Sequence, residues 1–410
     1  MNGLKRNITQ KVNSMLEHFP AVVILGARQV GKTTLAKELR PNWSYIDLEK
    51  PSDNQLFMND PEFFFAQNPR NIILDEAQTL PVLFNILRGV IDENRAEKNR
   101  FILTGSSSPE LMNHISESLA GRIAIVELGT FKANEIAQIP LSPFYQLFQN
   151  NLAKEYLPSE APPLTRQQVH HAWMKGGYPE PTLINSSLLY QEWMENYYKT
   201  YISRDIANLF PRLNKIAYQR FISILGKLSG TIINKSELAR AIEINEKSVR
   251  EYLNIAEGTF LWRHLLSFEN NVIKSVIKMP KGHIQDSGLL HYLLKINSLD
   301  ELYHHPIIGN SFEGFVIEEL IKGLQAIPVY NWQSYYYRTR SGAEIDLILD
   351  GAFGILPIEI KYGSKVEFRK LKSLANFIEE HKAPFGLLIN QADTAKWLTP
   401  TIYQLPVEWL

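Results

Sequence analysis

Apolar and polar positions follow two rhythms along the chain. Over residues 1 to about 130, short β-rich runs recur at AVVIL (21–25), YIDL (45–48), NIILD (71–75), FILT (101–104) and IAIVEL (123–128), with helical stretches between most of them. This alternation predicts a parallel sheet with helices on its faces. From 130 to about 210 the chain is rich in Tyr, Trp and Gln and reads mostly helical around the turn signal KGGYPEP (175–181). Residues 211 to about 300 hold short helices and then a basic segment with β character, and 301–410 return to mixed α and β. No internal repeat or low-complexity tract is visible. The boundaries this pattern predicts are 1–135, 136–210, 211–300 and 301–410, and the class is α/β.

Chemistry first enters between AVVIL and the helical TTLAKEL (33–39). Gly26, Ala27, Arg28, Gln29, Val30, Gly31, Lys32, Thr33 and Thr34 fit the phosphate-loop pattern of Gly, four residues, then Gly-Lys-Thr. Glycines let backbone N–H groups curl around phosphate oxygens, and the helix start adds partial positive charge. Lys32 can reach the β- and γ-phosphates of ATP, and the Thr33 hydroxyl can bind Mg²⁺. NIILDEAQ (71–78) ends a buried strand in Asp75 and Glu76, one acid for the Mg²⁺ shell and the next to orient the attacking water. The chain order predicts that this strand lies beside the loop strand. Thr104, at the end of FILT, is placed to sense a γ-phosphate. Arg122, just before the fifth strand, is a candidate to neutralise transition-state charge in its own subunit or in a neighbour.

The succession GARQVGKTTLAKEL, NIILDEAQ, ILTGSSS, LAGR resembles the AAA-type ATPases of bacteria and archaea, in the branch near the STAND ATPases. YISRDI (201–206) and KMPKGHIQDSGLL (278–290) look like segments that recur in longer members of that group. The resemblance implies a P-loop core over 1–135, a helical lid or linker over 136–210, ATP and Mg²⁺ as cofactors, and a possible homo-oligomer.

Within 211–300, SELARAIE and EKSVREYLNIAE read as two short helices with Ser236 and Asn245 as N-caps. Leu238, Ala239 and Ile242 fall at helical spacing, as do Val249, Tyr252 and Leu253. A helix-turn-helix followed by VIKSVIKMPKGH (272–283) as a β wing describes a winged helix. Such a fold either reads DNA with its second helix or serves as a rigid adaptor to a protein partner. The charges are balanced, with Arg240, Lys247, Arg250, Arg263 and His264 set against Glu237, Glu243, Glu246, Glu251 and Glu257.

The last quarter carries a cluster of acids. In SFEGFVIEELIKGL (311–324), Phe312, Val316, Leu320 and Leu324 define an apolar helix face; Glu313 falls near its middle and Glu318 points away. GAEIDLILD, a turn at GAFG, and LPIEIKYG read as a hairpin. Strand alternation puts Ile345, Leu347 and Leu349 on one face and Asp346 on the other; Ile358, Ile360 and Tyr362 oppose Glu359 and Lys361. Asp346, Glu359 and Lys361 can therefore meet, with Glu313 from the helix. Carboxylates with a Lys suit a divalent-metal site for phosphodiester cleavage, with Glu313, Asp346 and Glu359 as ligands. The set resembles the Asp and Glu-x-Lys elements of the PD-(D/E)XK nucleases, which implies a restriction-endonuclease-like α/β domain. The same fold can instead hold a buried ion network and bind a partner.

Composition narrows these readings. Lys and Arg number 43, as do Asp and Glu, so the formal net charge is zero and coating nucleic acid by bulk charge is not expected. The absence of Cys removes disulfides and Cys-based metal sites. The start, MNGLKRNITQ, has no apolar signal region, and no run approaches the ~18 apolar residues of a membrane span. A cytoplasmic ATPase without membrane contact is expected, with DNA or a protein as partner. The pairs His170–His171 and His304–His305 lack metal-ligand spacing, and YNWQSYYYR (330–338) reads as a half-buried strand.

Overall fold

The computed structural model describes residues 4–106, 117–206, 210, 213–269, 278–339 and 342–410. The chain divides into two units. One comprises Met1–Thr130 with Ile255–Phe260; the other comprises Phe131–Asn254 with Leu261–Leu410.

The first unit is built on five parallel strands: β1 (Ala21–Leu25), β2 (Ser44–Asp47), β3 (Ile72–Asp75), β4 (Phe101–Gly105) and β5 (Ile123–Glu127). Their spatial order is β2-β3-β4-β1-β5. The three central strands are buried at every position, while β2 and β5 are partly open, which is why the central runs read as continuously apolar. The expected neighbour relation is corrected here: β4, not the Asp75 strand, lies directly beside β1. Because all strands run the same way, the phosphate loop, Asp75 and Thr104 leave the sheet at one edge.

The second unit is organised by a nine-stranded mixed sheet. Its strands are β6 (Thr231–Ile232), β7 (Trp262–Ser267), β8 (Lys281–Ile284), β9 (Trp332–Arg338), β10 (Glu344–Gly351), β11 (Gly354–Ile360), β12 (Gly386–Asn390), β13 (Lys396–Thr399) and β14 (Ile402–Pro406), in the order β13-β14-β12-β11-β10-β9-β7-β8-β6. The Ile308–Ala326 helix lays Phe312, Val316, Leu320 and Leu324 fully into the core, each burial stabilising by about 1.5–3 kcal/mol. That core also takes Phe144, Leu147, Phe148, Leu164, Val169 and Trp173. Part of the stretch expected to be a lid over 136–210, up to Met174, therefore shares one core with the C-terminal strands.

The two glycine-bearing turns the sequence set apart dock on each other. Asp286 accepts hydrogen bonds from the Gly177 N–H (2.8 Å) and the Leu289 N–H (3.0 Å). A Cβ at Gly288 would lie 2.1 Å from the Lys175 carbonyl oxygen, so only glycine permits this approach. KGGYPEP and the HIQDSGLL end of the second segment thus serve packing.

The helices Lys235–Ala241 and Glu246–Gly258 form as expected, and Leu238, Ala239, Ile242, Val249, Tyr252 and Leu253 are buried. Asn245 accepts from the Ser248 N–H at 2.8 Å and caps the second helix. The cap of the first is Asn234, which accepts from the Ser236 and Glu237 N–H groups; Ser236 instead donates to Glu246. The expected wing is only partly visible: residues 272–277 lie outside the described residues, and β8 supplies its end. No helix among the described residues is long and apolar enough to cross a membrane.

Candidate functional site

The phosphate loop follows β1 directly and leads into the Lys32–Leu39 helix. Gly31 adopts φ +92° and Gln29 φ +64°, the left-handed turns that curl the loop. A Cβ on Gly26 would lie 2.3 Å from the Leu128 carbonyl oxygen, so the loop packs against the end of β5 only with glycine there. Lys32 is 5% exposed, and its Nζ donates to the carbonyls of Gly26 (3.2 Å) and Ala27 (2.9 Å). Burial lowers the Lys32 pKa, and the carboxylates of Glu76 and Asp75 oppose that effect.

Asp75 is where the motifs meet. Its Oδ2 accepts from the Thr33 hydroxyl (2.7 Å) and the Tyr45 hydroxyl (2.7 Å), while Oδ1 accepts from the Thr104 hydroxyl and the Glu76 N–H (3.2 Å). A hydroxyl and a carboxylate in contact form a hard oxygen pair of the kind that suits Mg²⁺, so Thr33 and Asp75 could hold such an ion. Tyr45 was not singled out by sequence. Burial and its bond to Asp75 push the Tyr45 hydroxyl pKa upward, so it remains a donor. Glu76 takes φ +54°, an unusual backbone for a non-glycine residue. Its Oε2 accepts from Gln78 Nε2 at 2.5 Å.

Arg122 is placed elsewhere. It precedes Ile123, which pairs with Ala21 at the start of β1, so it lies at the sheet edge opposite the loop. The separation along β1 is about 15 Å at roughly 3.3 Å per residue. Its guanidinium donates to both Asp92 oxygens, at 2.8 and 2.7 Å. Of the two expected roles for Arg122, action on its own subunit's γ-phosphate does not match this position.

In the second unit the acids gather around two cations, Lys281 from the segment expected as a wing and Lys361, with Asp346 between them. Lys281 Nζ lies 2.8 Å from Glu313, 3.1 Å from Glu344 and 3.7 Å from Asp346. Lys361 Nζ lies 2.7 Å from Glu359 and 3.4 Å from Asp346, whose Oδ2 also accepts the Ile360 N–H at 2.8 Å. The face alternation expected for β10 fails at a bulge between Ile345 and Ile348: Ile345 joins Ile348 in one core, while Leu347 and Leu349 enter the other. Among the described residues, no three His, Cys, Asp or Glu are grouped to hold a metal ion. Of the metal set expected, Glu313 and Asp346 have the Lys281 ammonium beside them and Glu359 has Lys361.

Burial, followed by the Asp346 charge, pushes Glu313 up to about 8 and Glu359 up to about 7. Both folded values lie above the unfolded carboxyl value, so the folded state holds the extra proton. The stabilisation is full below the unfolded value and is lost as pH rises through about 7 to 8. The second unit should therefore melt at progressively lower temperature between about pH 5 and pH 8 and level off above, and Glu313→Gln should flatten that slope. Melting curves followed by circular dichroism check this; a profile that rises across the same range contradicts it.

Two further buried acids are paired with cations. Glu318 accepts from Arg263 and from His283 (2.9 Å), and despite burial Arg263 and His283 hold it down to about 2. It points away from the apolar face as expected, yet it is buried, and Arg263 is thereby removed from the charges available to DNA. Glu319 receives the buried Lys132 at 3.1 Å and Lys322 at 2.8 Å. His170 is engaged by Gln391 (2.6 Å) and Tyr303 (2.8 Å), in keeping with a packing role.

A five-stranded parallel sheet that brings a phosphate loop, an acid-ended strand and a Thr-ended strand to one edge defines a P-loop ATPase. Residues 18–137 match the family model described as "AAA domain". Residues 166–300 and 308–410 match two models described as domains of unknown function, DUF8612 and DUF4143. The chain is 31% identical over 349 residues to "Uncharacterized protein Rv2008c" of Mycobacterium tuberculosis, covering 84% of this chain and 71% of that one. It is 23% identical over 341 residues to "Uncharacterized protein MJ1544" of Methanocaldococcus jannaschii, covering 80% and 72%. The chain belongs to the family of the mycobacterial protein, and its N-terminal domain is of the AAA type. Among solved structures, the Walker-type ATPase PABY2304 of Pyrococcus abyssi overlaps 72% of this chain and 98% of its own at TM-score 0.42 and 15% identity. The STAND protein PH0952 of Pyrococcus horikoshii overlaps 78% and 50% at TM-score 0.27 and 13% identity.

Proposed function

We propose that the chain hydrolyses Mg·ATP and uses the nucleotide state to switch a binding activity of its second unit. Lys32 and the Gly26–Gly31 backbone hold the phosphates, Thr33 and Asp75 hold Mg²⁺, Glu76 orients the attacking water, and Thr104 senses the γ-phosphate. The convergence of Thr33, Thr104 and the Glu76 backbone on Asp75 carries this reading. A magnesium ion bound there would supply charge neutralisation for the phosphates. Glu76→Gln should retain ATP binding and lose turnover. Arg122, at the far edge of the sheet, is left the role of acting on the nucleotide of a neighbouring copy.

For the second unit we favour partner binding over nuclease activity. The Ile308–Ala326 helix, the antiparallel β9-β10-β11, the Lys372–His381 helix and the parallel β12 support the restriction-endonuclease-like fold that the resemblance implies. The residues do not fit a metal, since Lys281 occupies the cluster, and no cleavage step is derived from them. The charges of the Glu246–Gly258 helix are mixed, with Arg250 3.7 Å from Glu246, which supports a protein adaptor more than a reader of DNA. Cleavage of single- or double-stranded DNA in Mg²⁺ or Mn²⁺ by the wild type, lost in Lys361→Ala, would overturn this assignment.

A further inference from the structure

Gln78 lies two residues beyond the proposed base, in a short turn after β3. Its amide is used at both ends. Nε2 donates to Glu76 Oε2 at 2.5 Å, and Oε1 accepts the Ser106 N–H at 3.2 Å. The orientation of the amide follows from its partners: only oxygen can take the backbone N–H, and only nitrogen can face the carboxylate. Ser106 comes directly after β4, two residues past Thr104, whose hydroxyl donates to Asp75. Glu76 is also the residue whose backbone is held in the left-handed region, at φ +54°. A non-glycine residue keeps that conformation only where its surroundings impose it, and such positions concentrate at functional sites.

We infer that Gln78 is a positioning residue for ATP hydrolysis, clamping the Glu76 carboxylate to the backbone at Ser106. The end of β4, where Thr104 would meet the γ-phosphate, is thereby linked through one amide to the group that orients water. A shift of the Thr104–Ser106 backbone moves the Gln78 oxygen and with it the carboxylate. Gln78 itself touches neither phosphate nor water in this scheme and acts only through Glu76. The inference rests on the reading of Glu76 given above.

The test is ATP hydrolysis by the full chain in single-turnover and steady-state form, with ATP affinity measured separately. Gln78→Met keeps length and removes both bonds. Gln78→Glu keeps the bond from Ser106 and opposes the Glu76 carboxylate with a second one. Each is expected to lower kcat by about 10- to 100-fold, the scale of a misplaced reacting group, with ATP affinity changed less than about twofold. In a Glu76→Gln background, Gln78→Met is expected to cost nothing further, because the group it positions is gone. An unchanged kcat in both variants, a loss of ATP affinity parallel to the loss of rate, or the same fold-loss in the Glu76→Gln background each overturns the inference. A Glu76→Gln chain that hydrolyses like the wild type instead overturns the reading of Glu76, so the two failures are told apart.

Discussion

Lys281→Met is expected to destabilise the second unit by about 3–5 kcal/mol, the cost of stranding buried charge whose partner has been removed. The side chain is 5% exposed and its ammonium lies 2.8 Å from Glu313, 3.1 Å from Glu344 and 3.7 Å from Asp346. Methionine retains most of the aliphatic stem and packs in similar volume, so the loss is electrostatic and not a cavity. The neighbouring carboxylates then face one another without a shared cation, and the damage should grow as pH rises, because Glu313 loses the charge that favours its ionised form. Adding Glu313→Gln to Lys281→Met should recover much of the loss, since neutralising both members of a buried pair is far milder than removing one. Urea unfolding followed by tryptophan fluorescence measures both variants. A loss below about 1 kcal/mol for the single variant would show that the cluster is not held by this lysine.

Lys32→Ala is expected to leave the fold intact and to weaken ATP binding by at least about 100-fold, with hydrolysis lost in parallel. Lys32 Nζ rests on the Gly26 and Ala27 carbonyls at 3.2 and 2.9 Å, inside the curl of the loop, where phosphate oxygens would be met. Each hydrogen bond to a charged group contributes about 1.5–3 kcal/mol, so losing two corresponds to roughly 10²–10⁴-fold. Lys32→Arg should not restore binding, because a planar fork does not fit the place of a compact ammonium. Calorimetric titration with ATP and Mg²⁺ checks the affinity, and far-UV circular dichroism checks the fold.

Much of the first unit was legible because its chemistry is local. The Gly-Lys-Thr loop, the strand ending in Asp75 and the strand ending in Thr104 are each read within a few residues. Register then brings them together, since parallel strands all leave the sheet at one edge. The strand order was not legible: nothing local says that β4 inserts between β1 and β3. Tyr45 was missed because a tyrosine in a short strand carries no signal until Asp75 is seen beside it. Arg122 shows the converse. Its place just before a strand was read correctly, but in a parallel sheet that position is the edge away from the phosphates.

In the second unit, alternation located Asp346, Glu359 and Lys361 on one side, and helical period turned Glu313 inward. The bulge in β10 broke the simple alternation without undoing that meeting. Lys281 lies in the basic segment expected as a wing. Its true partners are between 32 and 65 residues away in sequence, and no periodicity reports contacts of that range. That Phe144, Phe148 and Trp173 pack with the C-terminal strands was not legible for a similar reason, since an apolar helix face does not announce which core it enters.

The most direct test is Mg²⁺-dependent ATP hydrolysis measured side by side for the wild type and Glu76→Gln, with ATP binding followed in the same preparations. Multiple turnovers by the wild type, lost in a Glu76→Gln chain that still binds ATP, are the result expected here. Equal turnover by the two chains, or ATP bound by the wild type and never hydrolysed, would contradict the reading of the chain as an ATP-hydrolysing switch.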